Sequence, residues 1–108
     1  MPSWSLVRVR GSSMSPTLAD GDVLLVRGGG PGRVGDIAVV RLPGGRPRSV
    51  KRLARLDGDG WWVERDNPRE GVDSWTLGVP VPGADVLGIA RARVWPRPGR
   101  LRPPRPDR

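Results

Sequence analysis

The 108-residue chain contains no cysteine and no histidine. Without cysteine it has no disulfide framework, no thiol nucleophile and no thiolate metal site. Without histidine it can build neither a Ser-His-Asp triad nor a histidine-ligated zinc site. No metal and no cofactor is therefore expected. Any general base must be a carboxylate, a lysine or the N-terminal amine. Phe and Tyr are also absent, and five Trp are the only aromatics. Val, Leu and Ile must then supply most of the core. No run approaches the ~20 apolar residues that cross a bilayer. The opening MPSWSLVRVR lacks the apolar h-region of a signal peptide. These absences together predict a soluble, cytoplasmic protein.

What is present is glycine, proline and arginine. Gly and Pro number 16 and 13, which disfavours long helices and favours short strands joined by turns. The length fits one domain, placed at residues 1–95, with a Pro/Arg-rich tail at 96–108. The net charge is +8. The segment VWPRPGRLRPPRPDR (94–108) holds five Arg and one Asp. Such a segment cannot build a core and is expected to be disordered. Its charge suits a polyanion, acidic headgroups or an acidic protein, or it is simply a solvated tail. Weak peripheral membrane contact is the role carried forward; no nucleic-acid partner is expected.

Strands are predicted at 5–10, 23–27, 37–42, 49–56, 61–64 and 85–94. GSSMSPTLADGD (11–22) reads as a turn, with a single helical turn at most. GGGPGRVGD (28–36) reads as a flexible loop, DGDG (57–60) as a hairpin turn and residues 65–84 as a long loop. About six short strands and no helix predict an all-β, barrel-like domain.

Two features carry chemistry. Of 19 basic residues, 18 are Arg, and the only lysine is Lys51. Arginine stays protonated, whereas burial can drive a lysine to its neutral form. On strand 49–56 Lys51 shares a face with Leu53, with Val50, Ala54 and Leu56 opposite. Both faces are apolar enough to desolvate an amine. A lone lysine in an Arg-rich chain is also what compositional drift would leave behind. The second feature is GSSMSPT (11–17), with Ser12, Ser13 and Ser15 as alternative nucleophiles or local turn formers.

GSSMSPT, GDIAVVRL, SVKRLARL and RDNPREGVDSWTLGVPVP occur in an order that resembles the signal-peptidase-like serine proteases of the S26 family and the related self-cleaving repressors. The resemblance spans roughly residues 7–95 and implies a peptidase with a Ser-Lys dyad on an all-β core. By position it implies Ser13 as nucleophile and Lys51 as base. Gly11, Ser12 and Met14 would line the oxyanion and substrate pocket, the Ser13 N–H being an oxyanion donor. Arg52, Asp66, Asn67, Asp73 and Ser74 would support the dyad. Met14 reads equally well as core. Compact members resemble the nickel-type superoxide dismutase maturation proteases, which implies a precursor substrate carrying an N-terminal leader. The alternatives are a type I signal peptidase without its own membrane anchor and a non-catalytic basic β-barrel that binds a partner. Three departures stand out: Arg65 replaces a glycine, Gly71 replaces a serine that supports the lysine, and Trp75 replaces an arginine. Asp73 thereby lacks its usual partner, for which Arg69 or Arg52 would substitute.

GPGRVG (30–35) matches a dinucleotide-binding glycine pattern but leads into a strand, so no helix N-terminus meets a phosphate there. DGDG lacks the later ligands of a calcium loop. RLRPPRP has the form of a polyproline ligand. Trp61 and Trp62 should point to opposite faces, one into the core and the other toward a groove.

Overall fold

A computed structural model describes residues 3–101. The strands are β1 (Ser3–Arg8), β2 (Val23–Gly28), β3 (Ile37–Arg41), β4 (Arg48–Asp57), β5 (Gly60–Glu64), β6 (Val81–Pro82), β7 (Val86–Trp95) and β8 (Gly99–Arg100). They form one antiparallel sheet in the order β1-β2-β7-β3-β4-β5-β6, with β8 added to β7. The protein is all-β, as the strand pattern predicts. Among the described residues helix is confined to α1 (Ser74–Leu77) and a single 3-10 turn at Gly83–Asp85.

The two small strands and α1 fall where the sequence reads as loop or tail. Side-chain capping explains α1. The Asp73 carboxylate accepts from the Trp75 and Thr76 N–H groups, and the Thr76 hydroxyl accepts from the Asp73 N–H. Gly78 closes the turn at φ 77°, a conformation glycine adopts without penalty.

Strand β3 explains the core. Its IAVV run is buried on both faces, so it divides two apolar clusters. Ile37 and Val39 pack with Met14, Leu18, Leu24 and Val50 on one side. Ala38 and Val40 pack with Leu53, Trp61 and Val63 on the other. Leu53 is fully buried, and truncating it to Ala would cost about 2–5 kcal/mol. The loop before β3 is tied down rather than loose. Gly35 donates its N–H to the Leu53 carbonyl at 2.8 Å, and Leu53 donates to Asp36 at 2.8 Å. A Cβ at Gly32 would lie 2.5 Å from Leu53 Cδ1, so glycine there permits the loop to close over the core.

Beyond the boundary set at residue 95, the chain stays with the sheet for several residues. Gly99 and Arg100 pair with Arg93 and Ala92, and Leu101 packs on the first cluster. The rest of the predicted tail, 102–108, lies outside the described residues. No helix among the described residues is long and apolar enough to cross a membrane.

Candidate active site

The GSSMSPT insert is a compact turn. Ser15 donates its N–H to the Ser12 carbonyl at 3.1 Å, and Leu18 donates to Met14 at 2.9 Å. Met14 is both things the sequence allows: it is 1% exposed within the first cluster and also lines the cavity beside Ser13. Buried Met14 and Leu18 anchor the turn and fix where the serines point. Asp20 and Asp22 close it by accepting from the Gly11 and Ala19 N–H groups at 2.7 and 2.9 Å.

Of the three serines, Ser13 meets Lys51. The Lys51 Nζ donates to Ser13 Oγ at 3.0 Å and approaches the Val50 carbonyl at 3.4 Å. Lys51 is 3% exposed. Its cross-strand neighbour is Ala38, the smallest apolar side chain of β3. Burial holds the Lys51 amine below its ordinary pKa; the nearby Asp73 charge opposes that, and Arg65 reinforces it. A hydroxyl bonded to an amine with a lowered pKa can lose its proton to that amine.

The loop after β5 braces both partners. Asn67 donates its backbone N–H to the Ser13 carbonyl at 2.8 Å and its side-chain amide to the Ser12 carbonyl at 2.9 Å. Among the described residues nothing accepts the Ser13 N–H, and Ser13 lines two cavities. The Gly11 N–H, by contrast, is already engaged by Asp20. Asp66 accepts two hydrogen bonds from Arg52, at 3.0 and 2.7 Å, and one from Thr17 at 2.5 Å. Arg52 also donates to the Gly35 carbonyl at 2.7 Å. Burial pushes the Asp66 carboxyl up, but the Arg52 and Thr17 bonds outweigh it and hold the group below its ordinary range. This network joins the Ser13 turn, the Lys51 strand and the 65–73 loop.

Two expectations are corrected. Asp73 is not served by Arg69 or Arg52. Its partner is Arg65, whose N–H donates at 3.1 Å and whose guanidinium lies 3.8 Å away. The departure from glycine at 65 thus supplies the charge missing at 75. Trp75 itself turns outward, stacks on Trp62 with centroids 4.5 Å apart and lies under Arg55. Trp61 is the core member of its pair. Ser74 is fully buried and accepts from the Val63 N–H at 2.9 Å, which makes it a brace for β5 rather than a neighbour of the dyad.

Gly71 comes directly against the serine. A Cβ there would sit 3.0 Å from Ser13 Cβ, and its φ is +80°. Sequence reasoning missed Ser49. Its hydroxyl is buried without a hydrogen-bond partner among the described residues, and Ser49 lines the same cavities as Ser13 and Lys51. Its position two residues before Lys51, on the same strand face, was the available signal.

A family model described as Peptidase S24-like matches residues 3–76, a span that holds both Ser13 and Lys51. The chain belongs to that family. Two curated proteins named signal peptidase I, from Streptococcus pneumoniae serotype 4 strain TIGR4 and from strain R6, are each 44% identical to it over 63 residues. The match covers 58% of this chain and 31% of each relative, so the chain spans less than a third of the length of these relatives.

Proposed function

We propose that this protein is a serine endopeptidase in which Ser13 is the nucleophile and Lys51 the general base. The observation that carries the reading is the 3.0 Å bond between Ser13 Oγ and the buried amine of Lys51. In its neutral form Lys51 takes the Ser13 proton as Oγ attacks the scissile carbonyl. The resulting oxyanion is met by the Ser13 N–H. The protonated amine then gives its proton to the departing amino group, which leaves an ester on Ser13. A water molecule deprotonated by Lys51 attacks that ester and releases the acid product.

The sheet topology supports a polypeptide substrate. The cleft beside Ser13 lies between residues 7–10 and 48–51. Strand β1 pairs only with β2 among the described residues, and residues 48–51 pair only with β3. Both strands therefore turn an unpaired backbone edge toward the cleft, which suits an extended peptide added as a strand.

The substrate we favour is a precursor carrying an N-terminal leader, with nickel superoxide dismutase as the candidate. The support is the resemblance of the four motifs to the proteases that mature it. A second reading, a signal peptidase acting on secretory precursors, is favoured by the 44% identity to the pneumococcal proteins. Intact mass spectrometry separates them. A single cut in the dismutase precursor, absent with Ser13→Ala, supports the first. A cut only in a signal-peptide substrate in detergent supports the second. With neither substrate cut, the peptidase reading fails.

A further inference from the structure

Four arginines of the described body are matched with carboxylates: Arg41 with Asp85, Arg52 with Asp66, Arg65 with Asp73 and Arg93 with Asp22. The other described arginines have no carboxylate partner among the described residues, and two of them, Arg10 and Arg48, stand at the mouth of the Ser13 cleft. Arg10 and Arg48 border the cavities on both sides of the dyad. Their guanidinium groups make no hydrogen bond or ion pair with any described residue. Among the described residues Arg8, on one side, reaches only the Gly21 carbonyl at 3.4 Å and the Trp95 ring. On that side the lining residues include no carboxylate, and the cavity of about 160 Å³ has an apolar floor that includes Met14 and Val39. Glu70 is the only acidic residue that lines the cavity on the other side.

Among the described residues, Glu70 is thus the only carboxylate that lines either cavity beside the dyad. Unpaired cations over an apolar floor raise the local concentration of anionic ligands and gain strength as a ligand excludes water.

We propose that this rim selects peptides with an aspartate or glutamate side chain beside the cleaved bond, its carboxylate held by Arg10 and Arg48. The proposal rests on the peptidase reading for its substrate geometry, and it names the substrate class. A neighbouring side chain of the peptide enters the 160 Å³ cavity while the acidic one reaches back to the rim. The carboxylate adds an attraction that diminishes with ionic strength.

The test is a quenched-fluorescence peptide series with Asp, Asn or Lys at each position flanking an Ala-Ala bond. The readout is the ratio of kcat/KM between peptides, which cancels any general change in the enzyme. We expect Asp over Asn by about 5- to 10-fold at one or more positions at low salt. The ratio should fall toward one in about 0.5 M salt and in Arg10→Gln/Arg48→Gln. In Arg48→Glu the order should invert in favour of the Lys peptide. A ratio near one at every position overturns the proposal, as does a ratio that survives in the double variant. If no peptide is cut, the peptidase reading fails separately. Fluorescence anisotropy of the labelled Asp and Asn peptides then decides the rim. Asp-selective binding lost in the double variant supports it. Equal binding of the two peptides overturns it, as does arginine-dependent binding to phosphatidylglycerol vesicles or single-stranded DNA without an Asp preference.

Discussion

Lys51 and Ser13 stand 38 residues apart in the chain and 3.0 Å apart in space. Sheet register and a packed turn bring them together: β4 pairs with β3 so that Lys51 faces Ala38, and the buried Met14 anchors the serine turn in the cluster formed with Ile37 and Val39. Because desolvation lowers the Lys51 pKa, peptide cleavage should rise toward alkaline pH with an apparent midpoint below that of a free lysine. Lys51→Arg keeps the charge and the stem but cannot release its proton at accessible pH. Its kcat should fall by at least about 10³-fold, with the circular dichroism spectrum unchanged. A variant that still cleaves would remove Lys51 as base.

Stability should respond to the same lysine in the same sense, rising toward alkaline pH. A pKa lowered by folding means that the unfolded chain binds more protons, so the folded state gains as pH rises between the lowered value and that of a free lysine. Lys51→Met removes the buried amine and should lose that alkaline gain. Near neutral pH its Tm should equal or exceed that of the parent, because a buried amine costs more than the apolar stem that replaces it. Thermal unfolding across pH 6 to roughly pH 10 measures both effects; a large loss of Tm at neutral pH would show that the Ser13 bond outweighs the desolvation.

The Arg52–Asp66 pair is mostly buried, with side chains 12% and 16% exposed. Asp66→Asn should cost about 2–3 kcal/mol in denaturant unfolding, since it leaves Arg52 without its two-point acceptor. The Asp66 pKa lies below its ordinary value when folded. Its contribution is therefore fully present above the unfolded carboxylate value and is lost as pH falls through the folded one. The variant and the parent should converge in stability in strong acid.

Gly71 touches Ser13 closely enough for a methyl group to be felt. Gly71→Ala adds a Cβ 3.0 Å from Ser13 Cβ at a φ of +80°. It should destabilise by about 1–2 kcal/mol. The cleavage rate should fall with it, because the Ser13 side chain must move away from Lys51. An unchanged kcat with lowered stability would place the accommodation in the 65–73 loop instead.

The exposed Trp62–Trp75 stack, capped by Arg55, lies apart from the residues that line the dyad cavities. Trp75→Ala should lower stability by about 1 kcal/mol and leave kcat unchanged. Tryptophan fluorescence and peptide kinetics measured together test this.

Much of the site was legible from composition. With histidine and cysteine absent, composition left Lys51, a carboxylate or the N-terminal amine as candidate bases, and strand 49–56 read as apolar enough on both faces to desolvate the lysine. β3 was legible as well, since IAVV has no polar face to offer solvent. Short-range chemistry hid α1, whose four residues carry no helical period and exist because Asp73 caps them. β8 was hidden because a Pro/Arg-rich stretch looks unable to pack until Leu101 finds a cluster made by distant strands.

What the sequence determined by itself was the inventory: an amine able to act as base, three serines in a tight turn, and strands too short for anything but a β domain. Tertiary structure decided the partners. It paired Lys51 with Ser13 rather than Ser12 or Ser15, gave Asp73 to Arg65, and left the Ser49 hydroxyl and the Arg10 and Arg48 guanidinium groups around the cleft without a partner among the described residues. Periodicity and absence are local properties that a chain displays as written. A pairing across 38 residues depends on sheet register and on which side chains burial leaves room for, and both exist only once the strands have packed.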